Sequence, residues 1–259
     1  MAFETCHYQT PCAGVGVITL NRPKALNAIN KTMTKEVEKI LDEAAADESI
    51  RALILTGSGP AFCAGGDLSW LMQADDKPKK REIVDRAGAL ISTLWSMQKP
   101  VLAAVNGVAA GAGTAMVLAC DLSIAADSAR FAPNFVNIAA VPDSGASWFL
   151  PRVVGMHRAM DLMVSGRTLK AQEALDMGIF GRVVPADSLQ QAALEWGQRI
   201  ARGPQGAIRS IKAMLKASMA NDLQEHLEEE AVRQVQAWSD PDFQEGVAAF
   251  VHKRKPSFA

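Results

Sequence analysis

The most constraining feature of the sequence is a run of small side chains at residues 105–115 (VNGVAAGAGTA), which directly follows an apolar, strand-like segment at 100–104. Such side chains supply no acid, base or nucleophile, but they let the backbone approach another group closely. If a helix begins near Gly111, its first N–H groups are unpaired and suit a developing negative charge. These residues alone leave two interpretations open: half of an anion-stabilising hole, or a tightly packed strand-to-helix turn.

A second small-residue turn occurs earlier in the chain, at 61–68 (AFCAGGDL). It follows the apolar segment 52–56 and ends in Asp67, an acidic residue that suits the N-terminus of a helix. Both turns therefore come after apolar strands, and helical patterns lie between them. Strands that alternate with helices at this spacing predict an α/β fold with parallel strands and helical crossovers.

The spacing of apolar residues and the positions of glycine and proline predict the remaining helices and strands. The charged residues 74–82 show no apolar periodicity and are predicted to form a mobile surface loop. Segment 147–164 is predicted to be helical, with a new helix beginning at Pro151. The predicted strands are 15–20, 52–56, 101–105, 122–125, 129–132 and 179–184. One helix is predicted from about Thr32, and its apolar face consists of Met33, Val37, Ile40 and Leu41. Another helix is predicted to turn inward the side chains of Ile83, Ala87, Leu90, Ile91 and Leu94.

The chain changes character at about residue 187, after which amphipathic helical patterns dominate. We therefore predict two parts: a core at 1–186 that holds the functional site, and a helical C-terminal region at 187–259.

Composition excludes several classes of function. The formal net charge of −1 provides no basic field for nucleic acid. The most apolar window, 101–120, is rich in Ala and Gly and contains Asn106, which indicates a buried strand and helix and not a membrane span. The N-terminus lacks the features of a signal peptide, and the four cysteines show neither CxxC nor metal-ligand spacing. We expect a cytoplasmic protein with reduced thiols and no metal.

The sequence lacks the familiar nucleotide-binding and hydrolase motifs. Segment 111–116 (GAGTAM) begins like a dinucleotide-binding fingerprint, but Met116 occupies the position that needs a small residue. The sequence contains no P-loop and no GxSxG elbow.

Taken together, segments 61–68, 99–113 and 141–145 resemble the crotonase superfamily of enoyl-CoA hydratases and isomerases, and the resemblance extends over essentially the whole chain. It implies a spiral of ββα units with a C-terminal helical trimerisation region, and a homotrimer or a hexamer made of two trimers. It also implies an acyl-CoA thioester substrate and no separate cofactor, because coenzyme A is part of that substrate.

Matched residue by residue, the family's oxyanion hole falls on the backbone N–H groups of Gly66 and Ala112. Two such donors stabilise the enolate that forms when a thioester loses its α-proton. The resemblance places Phe250 and Lys253 at the coenzyme A site of a neighbouring subunit. The other substrate-binding positions that it implies are Lys24, Ala25, Leu26, Ala64, Gly65, Asp67, Leu68 and Phe135.

The chain departs from the family where hydratases carry two glutamates. Those positions hold Ala115 and Phe135, and neither residue can transfer a proton, although hydration needs both an acid and a base. Asp143, eight residues beyond Phe135, is the remaining candidate, since some isomerase-type and dehalogenase-type relatives place a catalytic aspartate there. Its apolar neighbours predict a raised pKa. The alternative is that Asp143 caps a helix beginning at 144 or 145.

The prediction is an isomerase that shifts a double bond in an enoyl-CoA thioester, with Asp143 as proton shuttle. Three alternatives stay open. One is a hydratase that uses Asp143 with an unrecognised partner. Another is a dehalogenase with Asp143 as nucleophile, although the family's aryl dehalogenases have Trp where Phe135 stands here. The last is a non-catalytic acyl-CoA-binding protein, which the missing glutamates favour.

Overall fold

The computed structural model describes residues 3–258. Strands and helices alternate through most of the chain, and the last part is helical. In chain order the elements are β1 (Cys6–Cys12), β2 (Gly14–Leu20), α1 (Lys31–Ala46), β3 (Ile50–Gly57), β4 (Ala61–Cys63), α2 (Leu68–Met72), α3 (Lys77–Ser96), β5 (Val101–Val105), β6 (Val108–Ala110), α4 (Ala112–Ala119), β7 (Leu122–Ala126), β8 (Arg130–Ala132), α5 (Ala146–Val154), α6 (Met156–Ser165), β9 (Leu169–Lys170), α7 (Ala171–Asp176), β10 (Arg182–Val184), α8 (Leu189–Ala201), α9 (Gln205–Ala217), α10 (Leu223–Trp238) and α11 (Pro241–Val251).

The strands form two sheets that share a repeating pattern. The larger sheet has the order β1-β2-β3-β5-β7-β10, and the smaller has the order β4-β6-β8-β9. Pairing is parallel except between β1 and β2 and between β8 and β9. Each of β3, β5 and β7 lies in the larger sheet and is followed by a strand of the smaller one. Helices then return the chain after β4 and β6, which produces the predicted spiral of ββα units.

The predicted helix faces are confirmed. On α1, the four predicted apolar residues are all fully buried, and on α3 the five predicted residues are buried as well. Helix α1 begins where it does because the Asn30 side chain accepts a hydrogen bond from the Met33 N–H at 2.9 Å. Helix α1 packs on β1 and β2 and on α3, and α3 also packs on α4.

The prediction of a surface loop at 74–82 was wrong, because helix α3 already begins at Lys77. Asp76 caps its first turn by accepting from the Lys79 N–H at 2.8 Å. Charged residues four apart then pair along the helix, as in Arg81–Asp85 at 2.6 Å. Local capping and charge pairing, and not apolar periodicity, extend this helix toward its N-terminus.

Two other predicted boundaries also shift. Pro151 lies inside α5 and does not begin a new helix; the break comes at Gly155, whose φ of +83° ends α5 and starts α6. Strand β10 begins only at Arg182. Ile179 and Phe180 are buried, but their N–H groups bond to the Ala174 carbonyl and not to a neighbouring strand. Ile179 and Phe180 were therefore predicted as strand residues because they are apolar and buried, although they do not pair in a sheet.

Helix α8 packs on β2, β3, β5 and β7 of the larger sheet. A Cβ on its Gly197 would lie 3.2 Å from Ile54 and 3.3 Å from Val15, so helix and sheet approach closely. The predicted division at residue 187 places this helix in the C-terminal region, and that division stays a prediction. Helix α11 is an element that the sequence patterns did not predict. Between residues 3 and 258, no helix is long and apolar enough to cross a membrane.

Candidate active site

The Gly66 peptide is held by hydrogen bonds on one side only. Ile29 donates its N–H to the Gly65 carbonyl at 2.7 Å and accepts from the Asp67 N–H at 2.9 Å. In this parallel bridge the residues on either side of Gly66 make both bonds. Because the C=O and N–H of one trans peptide point in opposite directions, the Gly66 N–H points away from Ile29.

The second turn ends at the first N–H of helix α4, close to Gly65 of the first turn. Gly111 precedes the helix with φ +49° and ψ −125°, and its own N–H is bonded to the Ala132 carbonyl at 3.0 Å. Ala112 is the first helical residue, so its N–H has no acceptor within the helix. The helix N-terminus also carries a partial positive charge. This turn therefore presents a donor suited to an anionic oxygen.

The two turns touch each other, and this contact explains their small side chains. A Cβ on Gly65 would lie 3.0 Å from the Ala110 carbonyl oxygen and 3.4 Å from the Ala112 nitrogen. A Cβ on Gly113 would fall on the Cys63 carbonyl oxygen, well inside contact distance. The two turns therefore pack tightly against each other, and the anion-hole interpretation, which stays a prediction, is compatible with that packing.

An ion pair that the sequence analysis did not identify as part of the site supports the first turn. Arg22 contacts Asp67 at 2.8 Å and donates to the Ala28 carbonyl at 2.6 Å. Asp67 also accepts from Ser69. Burial acts to raise the pKa of Asp67, but the hydrogen bonds from Ser69 and Arg22 outweigh it and hold the pKa below its usual value. The signal in the sequence was the polar turn at 21–27, which lies far from residue 67 along the chain.

The two positions where hydratases carry glutamates are closed to water. Ala115 is fully buried within α4. Phe135 begins a 3-10 turn, is 8% exposed, and has its ring 4.0 Å from where a Cβ of Gly111 would lie. Phe135 therefore forms an apolar wall beside the start of α4.

Asp143 lies in a loop, 139–145, that faces helix α3 across a groove of about 840 Å³. Burial raises the pKa of Asp143 above its usual value. Its Oδ1 atom is buried and has no hydrogen-bond partner within residues 3–258. The residues that line the groove are Val84, Asp85, Gly88, Ala139, Ala140, Val141, Pro142, Asp143, Ser144 and Gly145.

The structure does not support the capping alternative for the Asp143 side chain. Helix α5 begins at Ala146, and its N-cap is Gly145, which provides no side-chain bond. Asp143 contributes only its backbone carbonyl, which accepts from the Ala146 N–H at 2.9 Å. The Oδ1 atom of the carboxyl group thus has no hydrogen-bond partner, and Asp143 lines the groove.

The structure brings most of the residues implied for coenzyme A binding beside the first turn. Ala64 donates its N–H to the Leu26 carbonyl at 3.0 Å, which places the 24–26 turn next to 64–68. Lys24 is exposed, as are Leu26 and Leu68. A separate polar cavity of about 540 Å³ lies beside Asp67. These exposed apolar and cationic groups form a surface next to Gly66.

Phe250 and Lys253 are not brought to this site within one chain. Phe250 lies on α11, is 86% exposed, and lines an apolar pocket with Phe243 and Phe258. Lys253 follows that helix and is also exposed. Their contribution to the site of another subunit stays a prediction. In the part of the chain that the structure describes, no group of three or more His, Cys, Asp or Glu side chains could hold a metal ion.

Fold and site together define a class of protein: a spiral of paired strands and helices in which two small-residue turns pack against each other, and in which Asp143 lines a groove between a loop and helix α3. A family described as enoyl-CoA hydratase/isomerase matches residues 11–259. The chain belongs to this family, and its fold is of the crotonase type.

Individual relatives carry both activities in their names. A probable enoyl-CoA hydratase of Rhodobacter capsulatus is 39% identical over 100% of this chain and 99% of its own. The 1,2-epoxyphenylacetyl-CoA isomerase of Escherichia coli is 38% identical over 95% of both chains. The crystal structure of an enoyl-CoA hydratase from Bacillus anthracis superposes with a TM-score of 0.94 at 32% identity, covering 98% of this chain and 99% of that one. Overall similarity therefore does not separate hydration from isomerisation.

Proposed function

We propose that this enzyme is an enoyl-CoA isomerase that shifts a double bond in an acyl-CoA thioester. The observation that carries the proposal is the distribution of carboxyl groups. Both glutamate positions of a hydratase are apolar, at Ala115 and Phe135, while the half-buried Asp143 lines the groove and has a raised pKa. Isomerisation needs one group that removes and returns a proton, whereas hydration needs an acid and a base.

In the proposed reaction, the thioester oxygen accepts hydrogen bonds from the Gly66 and Ala112 N–H groups. The Asp143 carboxylate takes a proton from C2 of a 3-enoyl thioester, and the electron pair moves onto the thioester oxygen as an enolate. The enolate then collapses as the protonated Asp143 delivers the same proton to C4, which gives the 2-enoyl product. A pKa raised toward neutrality suits this role, because the group must both accept and release the proton.

The decisive comparison is Asp143→Asn against Asp85→Asn. Both carboxyl groups line the groove, but Asp85 is exposed and paired with Arg81 at 2.6 Å. We expect Asp143→Asn to lower kcat for 3-enoyl-CoA isomerisation by about 10²–10⁴, the usual contribution of a positioned base. Asp85→Asn is expected to retain nearly full activity. Unchanged isomerisation in Asp143→Asn would exclude the proposed shuttle.

Hydration is the second candidate, and the hydratase name of the Rhodobacter capsulatus relative favours it. The same purified protein is to be offered 2-enoyl-CoA, and loss of the conjugated thioester absorbance measures water addition. We expect hydration to be much slower than isomerisation. Faster hydration would favour the second candidate, and tight thioester binding without turnover of either substrate would indicate an acyl-CoA-binding protein.

We also propose that the chain assembles as a homotrimer or as a hexamer of two trimers. Support comes from exposed apolar side chains on the last two helices, which one chain leaves in contact with solvent. Light scattering is expected to give three or six times the mass of one chain, and a monomer would refute the proposal. The exposed residues on these helices are Leu223, Leu227, Val232, Val235, Trp238, Phe243, Val247, Phe250 and Val251.

A further inference from the structure

Ser144, the residue after Asp143, has an unusual backbone conformation. Its φ is +51°, in the left-handed region, which strains a residue with a Cβ. The Ser144 side chain makes no capping bond that would offset this strain, because the N-cap of the helix that follows is Gly145 and not Ser144. A strained non-glycine residue beside a catalytic candidate is an observation that calls for a functional explanation.

The Ser144 hydroxyl is also buried without a partner. Ser144 is only 6% exposed, and its Oγ atom makes no hydrogen bond within residues 3–258. The hydroxyl of a serine in a loop ordinarily bonds to nearby backbone, and a buried hydroxyl without a partner is destabilising. Asp143 Oδ1 is unpaired in the same way and belongs to the adjacent residue, and both residues line the same groove.

We propose that Ser144 is a positioning residue whose hydroxyl pairs with Asp143 Oδ1 and leaves Oδ2 free for the substrate. A hydroxyl both donates and accepts, so it donates to the carboxylate before proton abstraction and accepts from the carboxyl group afterwards. This inference rests on the proposed role of Asp143 as the shuttle. Ser144 lies close enough to oppose the effect of burial on the pKa of Asp143, although the resting geometry does not complete the bond.

Few other charges face the Asp143 carboxyl group. Helix α3 contributes Asp85, which forms an exposed ion pair with Arg81 at 2.6 Å, together with the uncharged Val84 and Gly88. On α5, Arg152 donates to the Trp148 carbonyl and stacks over the Trp148 ring. Removal of the Ser144 hydroxyl is therefore expected to change the pKa of Asp143 directly.

The test is the pH profile of kcat/KM for 3-enoyl-CoA isomerisation in Ser144→Gly and Ser144→Ala. Each variant removes a donor to the ionised carboxyl group, so the pKa of Asp143 rises further and the acid limb moves to higher pH. We expect a shift of about one pH unit and a roughly tenfold loss of activity at the pH of the wild-type limb. Ser147→Ala, which alters an exposed serine on α5, is the matched control and is expected to leave the limb in place.

Ser144→Gly keeps the test informative if Ser144→Ala folds poorly, because glycine adopts a φ of +51° without strain. An equal loss of activity at every pH, with the limb unmoved, would assign Ser144 a purely structural role and overturn the inference. If Asp143→Asn abolishes isomerisation while Ser144→Gly leaves the limb unmoved, only this inference fails. If Asp143→Asn is fully active, the proposed function fails and this inference with it.

Discussion

The two halves of the candidate site are built in opposite ways. The half around Gly66 and Ala112 consists of backbone groups, is packed so closely that added methyl groups would clash, and is tied to Ile29 by two hydrogen bonds. The half around Asp143 consists of side chains on a loop with left-handed residues, unpaired buried polar atoms and an exposed Val141. The first half suits the stabilisation of charge on any thioester, and the second suits the selection of which proton moves.

Among changes to the backbone half of the site, Gly113→Ala is expected to cause the largest effect, because its Cβ would fall on the Cys63 carbonyl oxygen. Helix α4 must move away from β4, which separates the two N–H donors. Loss of one such donor typically lowers kcat by about 10²–10³. Overpacking of this kind also costs about 1–3 kcal/mol of stability. Steady-state kinetics with both 3-enoyl and 2-enoyl substrates, together with thermal melting, measure the two effects; wild-type rates would show that the turns are not rigidly coupled.

Arg22→Lys is expected to have the next largest effect. Arg22 joins Asp67 and the Ala28 carbonyl through two different nitrogens, and a lysine cannot hold both in that geometry. We expect kcat to fall about tenfold with little change in KM, because a small misplacement of the Gly66 donor is felt mainly in the transition state. Arg86→Lys on α3, which alters an ordinary helical ion pair with Glu82, is the matched control. A change in KM alone would place Arg22 in binding and not in donor positioning.

The pH dependence of the wild-type enzyme distinguishes the two halves, since the backbone donors do not titrate. Because burial raises the pKa of Asp143, the acid limb of kcat/KM is expected above the usual aspartate pKa of about 3.9. The same shift means that the folded protein binds this proton more tightly than the unfolded chain. Asp143 therefore lowers stability as pH rises from the unfolded pKa through the folded one. Asp143→Asn should accordingly raise Tm at neutral pH but not below the usual aspartate pKa; an identical Tm difference at both would contradict this.

Gly88→Ala is expected to have the smallest effect, although it is the same chemical change as Gly113→Ala. No atom lies within 4 Å of where its Cβ would be, and alanine is favoured over glycine within a helix by about 1 kcal/mol. Tm should therefore rise slightly, with linear acyl substrates unaffected. Gly88→Leu extends the comparison, because a larger side chain at this wall of the groove is expected to raise KM for ring-bearing acyl groups more than for linear ones. An equal rise of KM for ring-bearing and linear substrates would show that the acyl group does not lie in this groove.

Local patterns correctly predicted the buried faces of two helices and several of the strands. The apolar faces of α1 and α3 and the two small-residue turns could be identified because periodicity and side-chain size are local properties. The extension of α3 to Lys77 could not, since it depends on the Asp76 cap and on charge pairs in a segment without apolar spacing. The Arg22–Asp67 pair joins residues far apart in the chain, which no local pattern reveals.

The sequence by itself determined the family, the apolar replacement of both hydratase glutamates and the candidacy of Asp143, because these depend only on which residue occupies a matched position. The tertiary structure decided what those residues can do. It bridged Gly66 to Ile29, left Asp143 Oδ1 without a hydrogen-bond partner beside the groove, and buried the Ser144 hydroxyl on the adjacent residue. Direction, burial and hydrogen-bond partners arise only when distant segments pack together, and they set the pKa and the reach of each group.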